Sequence, residues 1–169
     1  MQHTISLVIP VYNEDETINA LYQRLATLAG SIDDAVEFIF VDDGSTDASL
    51  DLLDGLHTRD ARVKIIALSR NFGHQFAITA GMDLASGDAV VVMDADLQDP
   101  PETVLDLIGK WKEGYQVVNA RRRNRPGDSR FKRVTSKIFY RLLSLLTPID
   151  IPLDTGDFRL IDRVALDAF

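Results

Sequence analysis

The chain has 169 residues, of which 46% are hydrophobic and 26% charged, with a net charge of −8 and no cysteine. These values predict one globular domain with a sizeable core, and they exclude a disulfide framework, a thiolate metal site and a cysteine nucleophile. No N-terminal targeting signal and no run of about 18 apolar residues is present, so we expect no transmembrane segment within this chain.

Strands and helices alternate along the chain. Hydrophobic periodicity predicts strands at 6–11, 36–41, 63–68, 89–93 and 117–120, and helices at 14–29, 47–57, 75–85 and 101–113. Such alternation is typical of βαβ units, so we expect an α/β fold with a mostly parallel sheet flanked by helices. The carboxyl ends of parallel strands share one edge of the sheet, where ligands bind in such folds.

The end of the first strand carries Pro10, Tyr12 and Glu14. Tyr12 offers an aromatic face to a nucleotide base, and its neighbours offer polar groups. A glycine-rich phosphate-binding fingerprint is missing from this position. We therefore expect another group to hold the phosphates of a bound nucleotide.

Two neighbouring acids, Asp42 and Asp43, follow the second strand. An ionised carboxylate only accepts hydrogen bonds, which suits a ribose hydroxyl or a base N–H. Gly44 permits a tight turn, and Ser45 or Thr46 can cap the next helix. Capping does not explain the two acids, so we interpret them as candidate nucleoside ligands.

The loop after the third strand leads to His74. We expect His74 to be a hydrogen-bonded structural residue, although its loop can reach an acceptor site. Trp111, in the fourth predicted helix, is likewise expected to be structural.

The fourth strand leads directly into Asp94 and Asp96. Two carboxylates one residue apart on a turn can converge on a hard cation, such as Mg²⁺ or Mn²⁺, that keeps room for substrate phosphate oxygens. The alternative interpretation is a solvated acidic turn. The missing phosphate loop at the first strand favours the cation, because a cation supplies the missing phosphate partner.

Residues 121–133 hold seven basic residues and one acid within an otherwise acidic chain. The block predicts a local anionic partner, either phosphate or an anionic membrane surface, with a solvated loop as the alternative. Nucleic acid is not expected, because interleaved aromatic residues are missing. The basic amphipathic helix predicted at 131–146 either lies in a membrane interface or packs on the core or on another copy of the chain.

Five motifs carry a family resemblance. They lie at 10–14, 42–47, 70–73, 94–102 and 156–160. Together they resemble the family 2 glycosyltransferases, and more closely the polyprenyl-phosphate hexose synthases within that family. The resemblance implies a GT-A fold, a Rossmann-like single domain, with a nucleotide-sugar half at 1–98 and an acceptor half at 99–169.

The resemblance also implies a reaction and a set of site residues. The implied activity is the inverting transfer of a hexose from a nucleotide diphosphate sugar, UDP-glucose by preference, to undecaprenyl or dolichyl phosphate at the cytoplasmic face of the membrane. GDP-mannose as donor, and a soluble or glycan acceptor, stay as alternatives. The implied roles are nucleoside binding by Pro10, Tyr12, Glu14, Asp42 and Asp43, metal and diphosphate binding by Asp94, Asp96 and Gln98, acceptor phosphate binding by Arg122 and Arg125, and catalysis by Asp157 with Asp94.

Asp157 has an alternative interpretation as a helix cap or an ion-pair partner of Arg159. Similar family members continue well past this length into transmembrane helices, so we expect a longer natural chain. A nucleotidyltransferase would need a glycine-rich loop with basic residues near its N-terminus, and a receiver domain would carry its acid pair after the first strand. A non-catalytic sugar-nucleotide module is disfavoured because Asp94, Asp96 and Asp157 are all present.

Overall fold

The computed structural model describes residues 2–121 and 155–168. The chain divides into two compact units, 1–119 with 157–169, and 120–156, and the description below concerns the first. The strands are β1 (Thr4–Val11), β2 (Ala35–Asp42), β3 (Val63–Ala67), β4 (Ala89–Val92), β5 (Val117–Arg121) and β6 (Thr155–Asp162). The helices are α1 (Ile18–Ala29), α2 (Ser49–Arg59), α3 (His74–Leu84), α4 (Thr103–Lys112) and α5 (Arg163–Leu166).

The described strands form one six-stranded sheet in the order β3-β2-β1-β4-β6-β5. The β1–β2, β1–β4 and β2–β3 pairs are parallel, whereas β4 and β6 are antiparallel. The α/β class and the mostly parallel sheet are therefore confirmed. Hydrophobic periodicity did not predict the strand β6.

Three helices, α1, α2 and α4, begin later than the periodicity predicted. α1 begins at Ile18 because the preceding residues form a turn in which the Thr17 N–H donates to the Glu14 carbonyl at 3.0 Å. α4 begins at Thr103, and Pro101 lies in the turn before it. The end of α4 is as predicted, because Gly114 follows it with φ of +102°, a conformation that glycine adopts without strain.

The core lies around the central strands, whose side chains are buried on both faces of the sheet. This explains why β1 and β4 read as nearly continuous apolar runs. Helix α3 packs directly on β1 through Ala77, Ile78 and Gly81. A Cβ added to Gly81 would lie 2.4 Å from the Val8 Cγ1, so the helix approaches the sheet closely because this position has no side chain.

A polar cluster is buried at the amino-terminal edge of the sheet, around Glu37. Its Oε1 accepts hydrogen bonds from the Ser6 hydroxyl at 2.5 Å and the Ser86 N–H at 2.8 Å. Its Oε2 accepts from the Lys64 ammonium, and the Gly87 N–H donates to the Ser6 hydroxyl at 2.8 Å. The carboxylate is therefore fully partnered, which is the condition for burying a charge.

Candidate active site

The carboxyl ends of β1 and β2 lie side by side. The parallel register pairs Val11 with Asp42, so the polar residues that follow the two strands meet at this edge. Asp42 is only 2% exposed, whereas Tyr12 is 46% exposed and offers its ring to solvent. The predicted nucleoside residues Pro10, Tyr12, Glu14, Asp42 and Asp43 thus belong to one end of the sheet.

Hydrogen bonds join the loops that follow β1 and β2. The Asn13 N–H donates to the Ser45 Oγ at 3.0 Å, and the Thr46 N–H donates to the Asn13 Oδ1 at 2.8 Å. The prediction that Ser45 or Thr46 caps the next helix is wrong, because α2 begins only at Ser49 and both side chains are used between the loops. The N-cap residue is Ala48, which makes no side-chain cap, and the carboxylate of Asp47 just before it accepts the Ser49 N–H at 2.9 Å.

The Asp43 carboxylate is hydrogen-bonded to the loop between β3 and α3. Its two carboxylate oxygens accept the N–H groups of Phe72 at 2.7 Å and Gly73 at 2.9 Å. The same two loops approach so closely that a Cβ on Gly44 would lie 2.4 Å from the Arg70 carbonyl carbon. The start of α3 is therefore held in position by the end of β2.

Asp94 and Asp157 come together through the antiparallel pairing of β4 with β6. The register pairs Val92 with Arg159, and continuing it by two residues sets Asp157 opposite Asp94. Asp157 lies inside a strand, so it caps no helix, and its hydrogen-bond partners are two residues of α3, described next.

His74, the first residue of α3, lies between these two carboxylates. Its Nε2 is 3.2 Å from the Asp157 Oδ2 and 3.4 Å from the Asp94 Oδ1. The Gln75 side-chain amide donates to the same Asp157 Oδ2 at 3.3 Å. His74 is hydrogen-bonded, as expected, and its ring nitrogen contacts both predicted catalytic acids.

The electrostatics of Asp94 suit a cation site. Burial raises the pKa of the Asp94 carboxyl; the neighbouring His74 opposes this effect, while the negative charges of Asp96, Asp157 and Asp99 add to it. Among the described residues, the buried Asp94 Oδ1 accepts no hydrogen bond, although the His74 Nε2 lies 3.4 Å from it. A cation bound here would relieve both the burial and the repulsion, so these residues fit a divalent ion.

The described protein side chains do not by themselves enclose a metal. Across residues 2–121 and 155–168, no three His, Cys, Asp or Glu side chains gather as a metal-binding group. That Asp94 and Asp96 hold a divalent ion together with substrate phosphate and water stays a prediction. Asp96 accepts the Gln98 N–H at 2.9 Å across a turn in which Leu97 has φ of +58°, and the Gln98 residue itself is exposed.

Several predictions fall outside the described residues. Arg122, Arg125 and the amphipathic helix at 131–146 all lie there. Within the part of the chain that the structure does describe, no helix has the length and apolarity needed to cross a bilayer.

The chain is similar to several known proteins. The chain is 57% identical over 162 residues to "Uncharacterized glycosyltransferase YkcC" of Bacillus subtilis (strain 168), covering 96% of this chain and 50% of that protein. It is 41% identical over 163 residues to the "Bactoprenol glucosyl transferase" of Shigella phage SfV, covering 96% of this chain and 53% of that protein. The chain thus spans about half the length of the curated relatives it matches.

A solved GT-A structure has the same fold. Glucosyl-3-phosphoglycerate synthase from Mycobacterium tuberculosis, in complex with Mn²⁺, UDP and phosphoglyceric acid, is 26% identical and superposes with a TM-score of 0.67, covering 96% of this chain and 56% of that chain. The model of the family "Glycosyl transferase family 2" matches residues 6–169. With nearly the whole chain matched, this protein belongs to glycosyl transferase family 2.

Proposed function

We propose that this chain is the catalytic part of a transferase that moves a hexose from a nucleotide diphosphate sugar to a polyprenyl phosphate. The observation that carries the proposal is the meeting of Asp94 and Asp157 at the carboxyl edge of the sheet, next to the turn that bears Asp96. The phage relative supports glucose as the sugar and a polyprenyl carrier as the acceptor, because its name specifies both.

The donor in this proposal is UDP-glucose, bound across the ends of β1, β2 and β4. The nucleoside pocket consists of Pro10, Tyr12, Glu14, Asp42 and Asp43, with Asp43 acting through the loop that it fastens. Asp94, Asp96 and Gln98 hold Mg²⁺ or Mn²⁺ together with the diphosphate. When bound, the cation supplies Lewis-acid stabilisation of the leaving nucleoside diphosphate.

The acceptor in this proposal arrives already charged. The second pKa of a phosphate monoester is near 6, so at neutral pH the polyprenyl phosphate is mostly the reactive dianion. One of its oxygens attacks the anomeric carbon, the bond to the diphosphate oxygen breaks, and the sugar configuration inverts. Asp157 takes any remaining proton and orients the acceptor or its arginines, and Arg122 and Arg125 bind the phosphate at the cytoplasmic face of the membrane.

Donor binding is tested by calorimetry on the full-length protein with UDP-glucose and GDP-mannose, each with and without Mn²⁺. We expect binding of UDP-glucose to require the metal, and Asp94→Asn to weaken it by about tenfold or more. Asp54→Asn is the matched control, because Asp54 is an exposed aspartate on α2. Metal-independent binding that Asp94→Asn leaves unchanged would contradict the proposal.

Acceptor choice is tested by transfer to undecaprenyl phosphate in detergent, with the anomeric configuration of the product read by NMR. We expect an inverted glucosyl product on the lipid. Transfer to phosphoglyceric acid in preference to the lipid would contradict the proposed acceptor. A preference for GDP-mannose would contradict the proposed donor. A product of retained configuration would refute the single displacement.

A further inference from the structure

Two consecutive side chains at the start of α3 converge on one carboxylate oxygen. The His74 Nε2 lies 3.2 Å and the Gln75 Nε2 lies 3.3 Å from the Oδ2 of Asp157. Both side chains are in the first helical turn, whereas Asp157 comes from a strand more than 80 residues further along the chain. Between carboxylates, the His74 Nε2 must carry a proton to form a favourable contact.

The position of this helical turn is itself fixed. Gly73, immediately before His74, has φ of +106°, and its N–H is bonded to the Asp43 carboxylate at 2.9 Å. The adjacent Phe72 N–H donates to the other oxygen of Asp43. His74 and Gln75 are therefore presented from a loop that is tied to the central sheet, which is the preorganisation that a functional side chain needs.

Asp157 needs such support because its surroundings repel it. Its side chain is 33% exposed, and across the sheet lies Asp94, the carboxylate whose pKa the negative charge of Asp157 helps to raise. A carboxylate next to like charge and open to water turns towards solvent unless hydrogen-bond donors hold it. The two donors on α3 are the described groups that oppose this movement.

We propose that His74 and Gln75 are positioning residues that hold the Asp157 carboxylate beside Asp94 at the carboxyl edge of the sheet. This inference rests on the proposed function, in which Asp157 orients the acceptor. It assigns a role to two residues that the sequence motifs left unassigned.

The kinetic test compares His74→Ala, His74→Gln and Gln75→Ala in the full-length protein. A misplaced acceptor-orienting group typically costs about 10- to 100-fold in rate, so we expect that loss of kcat in His74→Ala, and less in Gln75→Ala. His74→Gln should recover most of the rate, because its amide nitrogen stands near the position of the imidazole Nε2. Gln23→Ala, at an exposed glutamine on α1, is the matched control and should behave as wild type.

Two further measurements separate positioning from donor binding. The calorimetric Kd for UDP with Mn²⁺ should change less than about twofold in Gln75→Ala, since the Gln75 side chain bonds Asp157 and its removal leaves the donor's own ligands intact. In an Asp157→Asn background, His74→Ala should add little further loss of kcat. Additive losses, failure of His74→Gln to recover the rate, or a Kd that rises as much as kcat falls would each overturn the inference.

A crystallographic test of the inference does not depend on enzymatic activity. In a crystal structure of His74→Ala, we expect the Asp157 carboxylate to have left its position next to Gln75; an unmoved carboxylate would overturn the inference. If the wild-type protein transfers no hexose, the proposed function fails, and this crystallographic result still decides whether His74 holds Asp157.

Discussion

The substitution Glu37→Gln tests how the polar cluster at the amino-terminal edge stabilises the fold. Glu37 has a side chain only 9% exposed. Burial alone raises the pKa of its carboxyl, but hydrogen bonds from Lys64 and two serines outweigh burial and lower the pKa from 4.5 to about 2. A lowering of this size corresponds to about 3 kcal/mol of folding free energy at neutral pH.

The sign of the pH dependence follows from the direction of the shift. Because the folded-state pKa is below the unfolded one, the stabilisation is complete above pH 4.5 and is lost as the pH falls towards 2. In Glu37→Gln this stabilisation is absent at every pH. The N–H₂ group of the glutamine also faces a hydrogen-bond donor, either the Lys64 ammonium or the Ser86 N–H, to which it cannot bond. We therefore expect the variant to be about 2–3 kcal/mol less stable than wild type at pH 7, with the difference shrinking towards zero as Glu37 becomes protonated.

Both the loss of stability and its pH dependence can be measured by urea-induced unfolding followed by circular dichroism. The unfolding is measured at pH 7, at pH 4.5 and at the lowest pH where the protein stays folded. Glu16→Gln is the matched control, because it makes the same charge change at an exposed residue, and it should shift the unfolding free energy by less than about 0.5 kcal/mol. A Glu37→Gln variant as stable as wild type at pH 7, or a difference that stays constant with pH, would refute the reasoning.

Three glycines give further predictions for urea unfolding. Gly44→Ala combines φ of +70° with a Cβ 2.4 Å from the Arg70 backbone, so we expect a loss of more than about 2 kcal/mol, and a wild-type midpoint would contradict this contact. Gly73→Ala has φ of +106° but open space around the added Cβ, so we expect only the backbone strain of about 1–2 kcal/mol. Gly81→Ala places its Cβ 2.4 Å from the stiff, buried Val8 side chain, and we expect a net loss of about 1–3 kcal/mol despite the better helix propensity of alanine; a stabilised variant would show that the sheet yields easily.

The parallel part of the sheet could be predicted because its signals are local. β1 and β4 are short apolar runs bounded by polar turns, and each is followed by the acids or polar residues that form the site. The carboxyl edge was predictable for the same reason, since strand direction alone places Asp42 and Asp94 at the same edge of the sheet. Here periodicity within about ten residues was sufficient.

β6 and its partners could not be placed by the same reasoning. The alternation of Asp157, Phe158, Arg159 and Leu160 is a strand pattern, and Phe158 and Leu160 are indeed buried. Its pairing with β4, however, depends on a register between distant segments. That register sets Asp157 opposite Asp94 and next to His74, so the local sequence around His74 carries no sign of this contact.

Asp43 illustrates a second limit. Its residue type and position after β2 indicate a ligand-binding acid, but both of its oxygens accept backbone N–H groups from another loop. Contacts between loops obey no periodicity, because they depend on how closely two turns pack; here Gly44 permits that approach. A short polar side chain after a strand can thus serve the scaffold, the substrate or both.

The Glu37 cluster and the Asp94–Asp157 pair occupy opposite rims of one sheet, and this separation has an evolutionary consequence. At one rim a buried charge is fully compensated by Ser6, Lys64 and Ser86, whereas at the other like charges are left close together. Sequence drift at the rim that carries Asp94 and Asp157 can proceed while the compensated rim preserves a margin of stability. Descendants of such a scaffold can diversify in chemistry without first being redesigned for folding.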